Sequence, residues 1–175
     1  MTFYLKHYLT NTVNYDFLNK FVYKKISKIP VLLNTTLYFK FKAYNFKALI
    51  MSLVVLDIVC GKKGFITKSK VSNVSLKLRK GSPVGCKVVL RKKESEKFLS
   101  VLFDNFVNIK HTKNIGFDKE GFSLSTVIPN VLLLPELESN YQFFKNLEHL
   151  NIKLASTAKT KNEFYFLLKS CKLHN

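Results

Sequence analysis

The chain has 175 residues, 47% of them hydrophobic, and sets 29 Lys or Arg against 11 Asp or Glu for a formal net charge of +18. That length and apolar content suit a single domain with its own core and exclude a disordered polycation, while the charge calls for a polyanionic partner. The excess is lopsided, because residues 1–91 hold 17 basic and 2 acidic side chains and residues 92–175 hold 12 and 9.

In chain order, Leu5, Leu9, Val13, Phe17, Phe21 and Val22 recur at mostly helical spacing and predict one helix over residues 4–26, or two with a break near Asn11 to Asn14. From Val31 to Lys42, Leu37, Phe39 and Phe41 alternate with Tyr38, Lys40 and Lys42, the period of a strand. Asn45 can cap a following helix whose Leu49, Ile50, Leu53, Val54, Leu56 and Ile58 predict extensive burial, and Gly61 can end it. The most membrane-like part of that helix, Ala48 to Cys60, contains Ser52 and Asp57 and falls well short of the roughly 20 apolar residues of a membrane span.

Phe65 to Lys68 and Cys86 to Arg91 read as strands, with Leu76 to Arg79 alternating between them and Gly81, Pro83 and Gly85 punctuating the return. The alternation predicts Leu76 and Leu78 in the core and Lys77 and Arg79 outside. Phe98, Leu102, Phe106 and Ile109, widened by Leu99, Phe103 and Val107, then form an amphipathic helix. Residues 111–121 are polar and contain glycine, which predicts an exposed loop. Ser123 to Leu137 is apolar and β-like, held to an edge or an irregular strand by Pro129 and Pro135. Leu150 to Ala155 is a short strand, and Thr160 with Glu163 is a capping box opening a last helix whose buried side is Phe164, Leu167, Leu168 and Cys171. This order predicts an α+β fold in one domain, a mainly antiparallel sheet with helices packed on one face.

Cys60, Cys86 and Cys171 are too few and too scattered for a disulfide framework or a zinc site. His7, His111, His149 and His174 have no metal-ligand spacing and adjoin no nucleophile and carboxylate pair, so the expectation is no catalysis, no metal and no cofactor. The N-terminal residues lack arginine and contain Asp16, unlike a secretory signal or an Arg-rich transit peptide, which predicts a protein working in the compartment that makes it.

The chemistry gathers in residues 60–91, which carry nine Lys or Arg and no carboxylate, including the chain's two arginines, Arg79 and Arg91. Arginine is a planar, bidentate phosphate donor and lysine a point charge, so the bidentate donors sit only here. Ser69, Lys70, Ser72, Asn73 and Ser75 add small donors suited to phosphates and ribose hydroxyls, and the target they predict is folded RNA read by shape. A free RNA-binding factor, a membrane-surface protein and an enzyme are the competing classes. The apolar stretches lack the basic amphipathic pattern of the second, and the third lacks its clustered acids, bases or ligands.

The run from Gly61 through Ile66, Thr67 and Lys68, followed by Lys77, Arg79, Gly81, Pro83, Gly85, Cys86, Lys87, Val88, Leu90 and Arg91, resembles the signature of the ribosomal protein L-five family of large-subunit proteins that hold 5S ribosomal RNA. Phe117-Asp118, Pro135-Glu136-Leu137 and the stretch from His149 to Thr160 fall in family order, so residues 30–172 resemble the family core and residues 1–29 a divergent helical segment. The resemblance implies a structural role in the central protuberance, with ribosomal RNA, transfer RNA in the peptidyl site, neighbouring large-subunit proteins and a small-subunit head protein as partners, and no membrane insertion.

It implies RNA contacts from Lys62, Lys63, Thr67, Lys68, Lys77, Arg79, Lys80, Lys87 and Arg91, joined by Lys40 and Lys42 of the first strand. Lys70, Ser72, Asn73 and Ser75 would face transfer RNA, and His111, Lys113, Asn114 and Lys119 would lie in an inter-subunit loop at residues 111–120, where a plain solvent loop is the other reading. Lys62 stands where the family has Gln and Val89 where it has Thr, and the first strand offers Tyr38, Phe39 and Lys40 near the family's Asn and glycines. Charge thus replaces part of the polar contact to 5S ribosomal RNA, which implies either a divergent RNA partner or a ribosome that holds the protein by other contacts. These departures, with lysine used for nearly every cation and a composition fitting an AT-rich genome, imply the mitochondrial matrix and a mitochondrial ribosome, with a plastid or a bacterial cytoplasm as the competing settings.

Overall fold

The computed structural model describes residues 7–41, 45–75, 77–105, 114–118, 121–145, 147 and 149–170. Among the described residues the N-terminal helix is continuous from residue 7 to 20, with a π-helical turn and no break at Asn11 to Asn14. Leu9–Val13 is a π-helical turn in which the Asn14 N–H reaches back to the Leu9 carbonyl, and α1 (Asn14–Lys20) follows. The Thr12 hydroxyl donates to the Tyr8 carbonyl at 2.7 Å, the back-bonding by which Thr loosens an α-helix. The helix ends six residues early, because Phe21 turns extended at φ −125°, and Ile26–Lys28 forms only a 3₁₀ turn.

The strands are β1 (Leu32–Lys40), β2 (Phe65–Lys68), β3 (Pro83–Arg91), β4 (Asn114–Asp118), β5 (Gly121–Ile128) and β6 (Leu150–Ser156), and the helices after α1 are α2 (Phe46–Cys60), α3 (Lys93–Asn105), α4 (Tyr141–Phe144) and α5 (Lys161–Ser170). The strands form one sheet in the order β2-β3-β1-β6-β5-β4, with the hairpin partners β2/β3 and β4/β5 antiparallel. The α+β prediction is met. The contacts resolve into two compact units, Met1–Thr35 with Arg91–Ser125 and Lys153–Asn175, and Thr36–Leu90 with Thr126–Ile152.

In the first unit Val13, Phe17, Ile29 and Leu167 form a buried cluster, with Phe21, Tyr23 and Phe166 packed against it. Phe17 meets Phe166 edge-on at 4.8 Å between ring centroids, the arrangement that suits the ring quadrupoles. The capping box closes as predicted: the Thr160 N–H donates to Glu163 Oε2 at 3.1 Å, and the Glu163 N–H donates to Thr160 Oγ1 at 3.3 Å. Phe164, Leu167 and Leu168 are buried as expected, while Cys171 lies outside the described residues.

In the second unit α2 is capped by the Asn45 side chain, which accepts from the Ala48 N–H at 3.2 Å, and it ends at Gly61 in the left-handed region, both as predicted. The helix is less buried than its apolar sequence predicts. Leu49, Ser52, Val55 and Leu56 face the core, whereas Phe46, Ile50, Val54 and Ile58, each four residues from the next and so on one helical face, are exposed.

Three other expectations are corrected. The apolar stretch from Ser123 leaves the sheet at Ile128 and becomes 3₁₀ turns, Val131–Leu133 and Pro135–Asn140, the second starting at a proline whose missing N–H costs nothing there. The expected loop at 111–121 contains β4, which pairs with β5 from Asn114 opposite Ser125 to Asp118 opposite Gly121. β4 is an outermost strand of the sheet, and an edge strand tolerates a polar sequence that a central one does not. Leu76–Arg79 is not a strand, for the reason given below.

Candidate nucleic-acid interface

β3 alternates between two environments. Cys86, Val88 and Leu90 are buried beneath α2, whereas Lys87 and Arg91 are exposed and Val89 is half-buried. The Ser52 hydroxyl lies 3.0 Å from the Cys86 sulfur and fastens the helix to the strand. Burial pushes the Cys86 thiol up, and the hydrogen bonds from Ser52 and the Phe39 backbone offset only part of that, so the thiol stays neutral and inert. β1 divides in the same way, with Leu37 and Phe39 buried while Lys40 is exposed.

The register places Phe65 opposite Lys87 and Thr67 opposite Gly85, so these pairs share the face turned away from α2. Gly85 is required there, since a Cβ would collide with the carbonyl oxygen of Phe39 and crowd Thr67 Oγ1 at 3.2 Å. Within the second unit this open face therefore presents Tyr38, Lys40, Phe65, Thr67, Lys87 and Val89. Lys40 Nζ lies 5.5 Å from the Tyr38 ring centroid, and Phe65 is 64% exposed. An exposed aromatic beside cations is the pairing that grips single-stranded or splayed RNA, the ring stacking on a base while the cations meet phosphate. Sequence reasoning missed Phe65 and Tyr38 as contributors. Strand parity was the available signal, because Phe65 falls in register with a lysine rather than with a core residue.

Beyond Lys68 the hairpin is closed by its own backbone. The Ser69 N–H donates to the Ser82 carbonyl at 2.8 Å, the Gly81 N–H returns to Ser69 at 2.9 Å, and Asn73 and Leu78 exchange bonds of 2.8 and 2.9 Å. Between Asn73 and Leu78 the chain reverses, with the Ser75 hydroxyl donating to Asn73 Oδ1 at 2.6 Å and Lys77 in the left-handed region at φ 51°. That reversal is why Leu76–Arg79 is not a strand. Among the described residues the tip keeps only an isolated bridge between Asn73 and Leu78. Leu78 is half-buried rather than in the core, and Leu76 lies outside the described residues.

The expected RNA-contacting residues distribute as follows. Lys40, Lys63, Lys68, Lys77, Arg79, Lys80, Lys87 and Arg91 are exposed, Lys62 and Thr67 are half-buried, and Lys42 lies outside the described residues. Lys70, Ser72, Asn73 and Ser75 are exposed in the hairpin. Of the expected inter-subunit residues, Asn114 starts β4, and His111, Lys113 and Lys119 lie outside the described residues. Among the described residues no group of three or more His, Cys, Asp or Glu side chains is placed to hold a metal, and no helix is long and apolar enough to cross a membrane. Val89, half-buried, falls on the open face two residues from Lys87 on β3.

No family model matches the chain. It is 34% identical over 174 residues to the large ribosomal subunit protein uL5m of Reclinomonas americana, covering 94% of this chain and 93% of that protein. It is 30% identical over 174 residues to the large ribosomal subunit protein uL5 of Nitrosomonas europaea, covering 96% of each, and 28% identical over 172 residues to that of Blochmanniella floridana. With relatives at this identity along almost the full length of both partners, the chain belongs to the uL5 family of large ribosomal subunit proteins.

Proposed function

We propose that the chain is a structural constituent of the large ribosomal subunit that grips ribosomal RNA with the open face of its sheet and with the β2–β3 hairpin. The observation that carries this reading is the run of exposed cations Lys68, Lys70, Lys77, Arg79, Lys80 and Lys87 on a hairpin that contains no carboxylate from residue 60 to 91. Its role is binding and positioning rather than catalysis. Exposed Phe65, with half-buried Tyr38 on the same face, favours RNA with unstacked bases over a plain duplex.

In this reading the 5S ribosomal RNA, or the large-subunit RNA that replaces it, lies on the open face, and the hairpin turn with Lys70, Ser72, Asn73 and Ser75 points at transfer RNA in the peptidyl site. The segment at residues 111–120 meets a protein of the small-subunit head, and residues 30–172 form the ribosomal core, preceded by a helical segment at residues 1–29. The lysine-rich composition and the likeness to a uL5m protein support a mitochondrial ribosome as the setting.

The test is co-sedimentation of tagged chain with large subunits, followed by a salt titration of its affinity for large-subunit RNA. The expected result is sedimentation with the subunit and log affinity falling by roughly 0.7 to 0.9 per phosphate contact per log unit of salt. A chain that stays soluble with assorted RNAs is a free RNA-binding factor instead. Loss of crosslinks between residues 70–77 and transfer RNA on shortening the hairpin turn tests the finer assignment.

A further inference from the structure

Where β1 begins and β3 ends, the first unit holds a cleft of about 600 Å³ lined by Leu32, Leu33, Asn34, Arg91, Lys92, Lys93 and Glu96. Of these only Arg91 belongs to the hairpin signature. The frame is held firmly: Lys92 turns the chain at φ 50°, its carbonyl accepts from the Glu96 N–H at 3.0 Å to open α3, and the Thr35 and Ser95 hydroxyls share a buried hydrogen bond of 2.7 Å that pins the first turn of α3 to β1. The volume falls within the roughly 300 to 1,000 Å³ usual for small-molecule sites.

The lining sorts into three chemistries. Leu33 gives apolar surface, its strand neighbour Leu32 being packed against the Val13 cluster, Asn34 and Glu96 give hydrogen-bonding groups, and Arg91, Lys92 and Lys93 give three cations against one carboxylate. A bare phosphate would leave the apolar surface unused, and an apolar ligand would leave the cations unused. We propose that the cleft takes one unpaired nucleotide of the bound RNA, its base against Leu33 and its phosphate on Arg91, Lys92 and Lys93. This rests on the RNA-binding reading above and adds a specificity element to it. An ionised carboxylate only accepts hydrogen bonds, so Glu96 pairs with the exocyclic amino group of adenine, cytosine or guanine, whereas uracil offers it only an N3–H flanked by two carbonyls that oppose it. The cleft is therefore a reader of an extruded amino-bearing base.

Four RNA hairpins of one sequence test it on the full chain: fully paired, with one bulged adenosine, with one bulged uridine, and with an abasic bulge. The expected result is about tenfold tighter binding of the adenosine bulge than of the abasic one, the scale of a single stacked base, with uridine in between. Glu96→Gln should level adenosine with uridine and leave the fully paired hairpin unchanged, and Lys92→Gln with Lys93→Gln should weaken both bulges. Equal affinity for all four hairpins with a normal salt slope overturns the cleft and spares the RNA interface, whereas no binding to any of them overturns both. AMP supplies the last arm. If it fills the cleft at millimolar concentration, read from the Asn34 side-chain amide resonance, and the bulges give no advantage, the ligand is a free nucleotide and the RNA source is overturned.

Discussion

In the first unit Lys20 extends over the ring of Phe166, with its Nζ 4.4 Å from the centroid, and Glu163 accepts from the Tyr23 hydroxyl at 3.2 Å and from the Thr160 N–H at 3.1 Å. In the β2–β3 hairpin Lys68, Lys70, Lys77, Arg79 and Lys80 are exposed along a stretch without any carboxylate, and Phe65, Val71 and Val74 stand out of the surface at 64%, 73% and 93% exposure. The same residue types thus do opposite work. In the first region aromatic rings and charges satisfy one another within the chain, so they contribute to folding. In the second they are presented outward, so the fold leaves their energy to be gained on binding.

The sharpest break of that contrast comes from two phenylalanines. Phe17 is fully buried, and Phe17→Ala should cost about 3 to 5 kcal/mol by cavity formation, read as a lower midpoint in chemical denaturation. Phe65→Ala should leave stability within about 0.5 kcal/mol and weaken RNA binding instead. If both changes act on stability alone, the open face is not an interface.

Next comes the charge of the hairpin. Replacing Lys77, Arg79 and Lys80 together with Ala should weaken RNA binding on the order of a hundredfold, from three charge-assisted contacts of roughly 1 kcal/mol each, and reduce the salt slope by about 2 to 3. The unfolding midpoint should not move. Arg79→Lys keeps the charge and loses the fork, and an intermediate affinity would show that bidentate geometry matters.

How far these regions could be read beforehand differs for a physical reason. The capping box, the Asn45 cap and the strand parity of Leu37, Phe39, Cys86 and Val88 are local patterns, and each appears where its residues predict. What failed needed knowledge of neighbours. Ile50, Val54 and Ile58 look like core until the partner of each face is known, and β4 looks like a loop until an edge position in the sheet excuses its polarity. The hairpin residues were legible as an exposed cationic surface by charge, but their turn geometry was not, because alternation in Leu76–Arg79 mimics a strand that the reversal at Lys77 forbids. The cleft at Asn34 and Lys93 left no sequence signal, since β1 and α3 supply it from positions some sixty residues apart.

Removing the cap tests the self-satisfied region more gently. Glu163→Ala strips acceptors from the Lys159 and Thr160 N–H groups and from Tyr23, and should cost about 0.5 to 2 kcal/mol, measured by thermal denaturation. RNA affinity should be unchanged, which separates this charge from those of the hairpin.

The smallest effect has a sign of its own. Burial first, and then the negative charge of Glu163 and the hydrogen bond to it, push the Tyr23 phenol well above its ordinary range. An unfolded tyrosine loses its proton near pH 10, whereas the folded one keeps it, so above about pH 10 the unfolded state binds fewer protons and stability falls as pH rises. This contribution is intact below that pH and is lost progressively through the alkaline range. Tyr23→Phe should cost about 0.5 to 1.5 kcal/mol at neutral pH, the worth of one hydrogen bond, and the deficit relative to the unaltered chain should shrink as both are taken above pH 10. Subtracting the two denaturation series removes the common titration of the lysines. A deficit that stays constant with pH would mean that the folded phenol titrates as the unfolded one does, and no deficit at any pH would mean that Glu163 holds Lys159 and Thr160 alone and that the Tyr23 hydroxyl adds nothing to the closure of the N-terminal segment on α5.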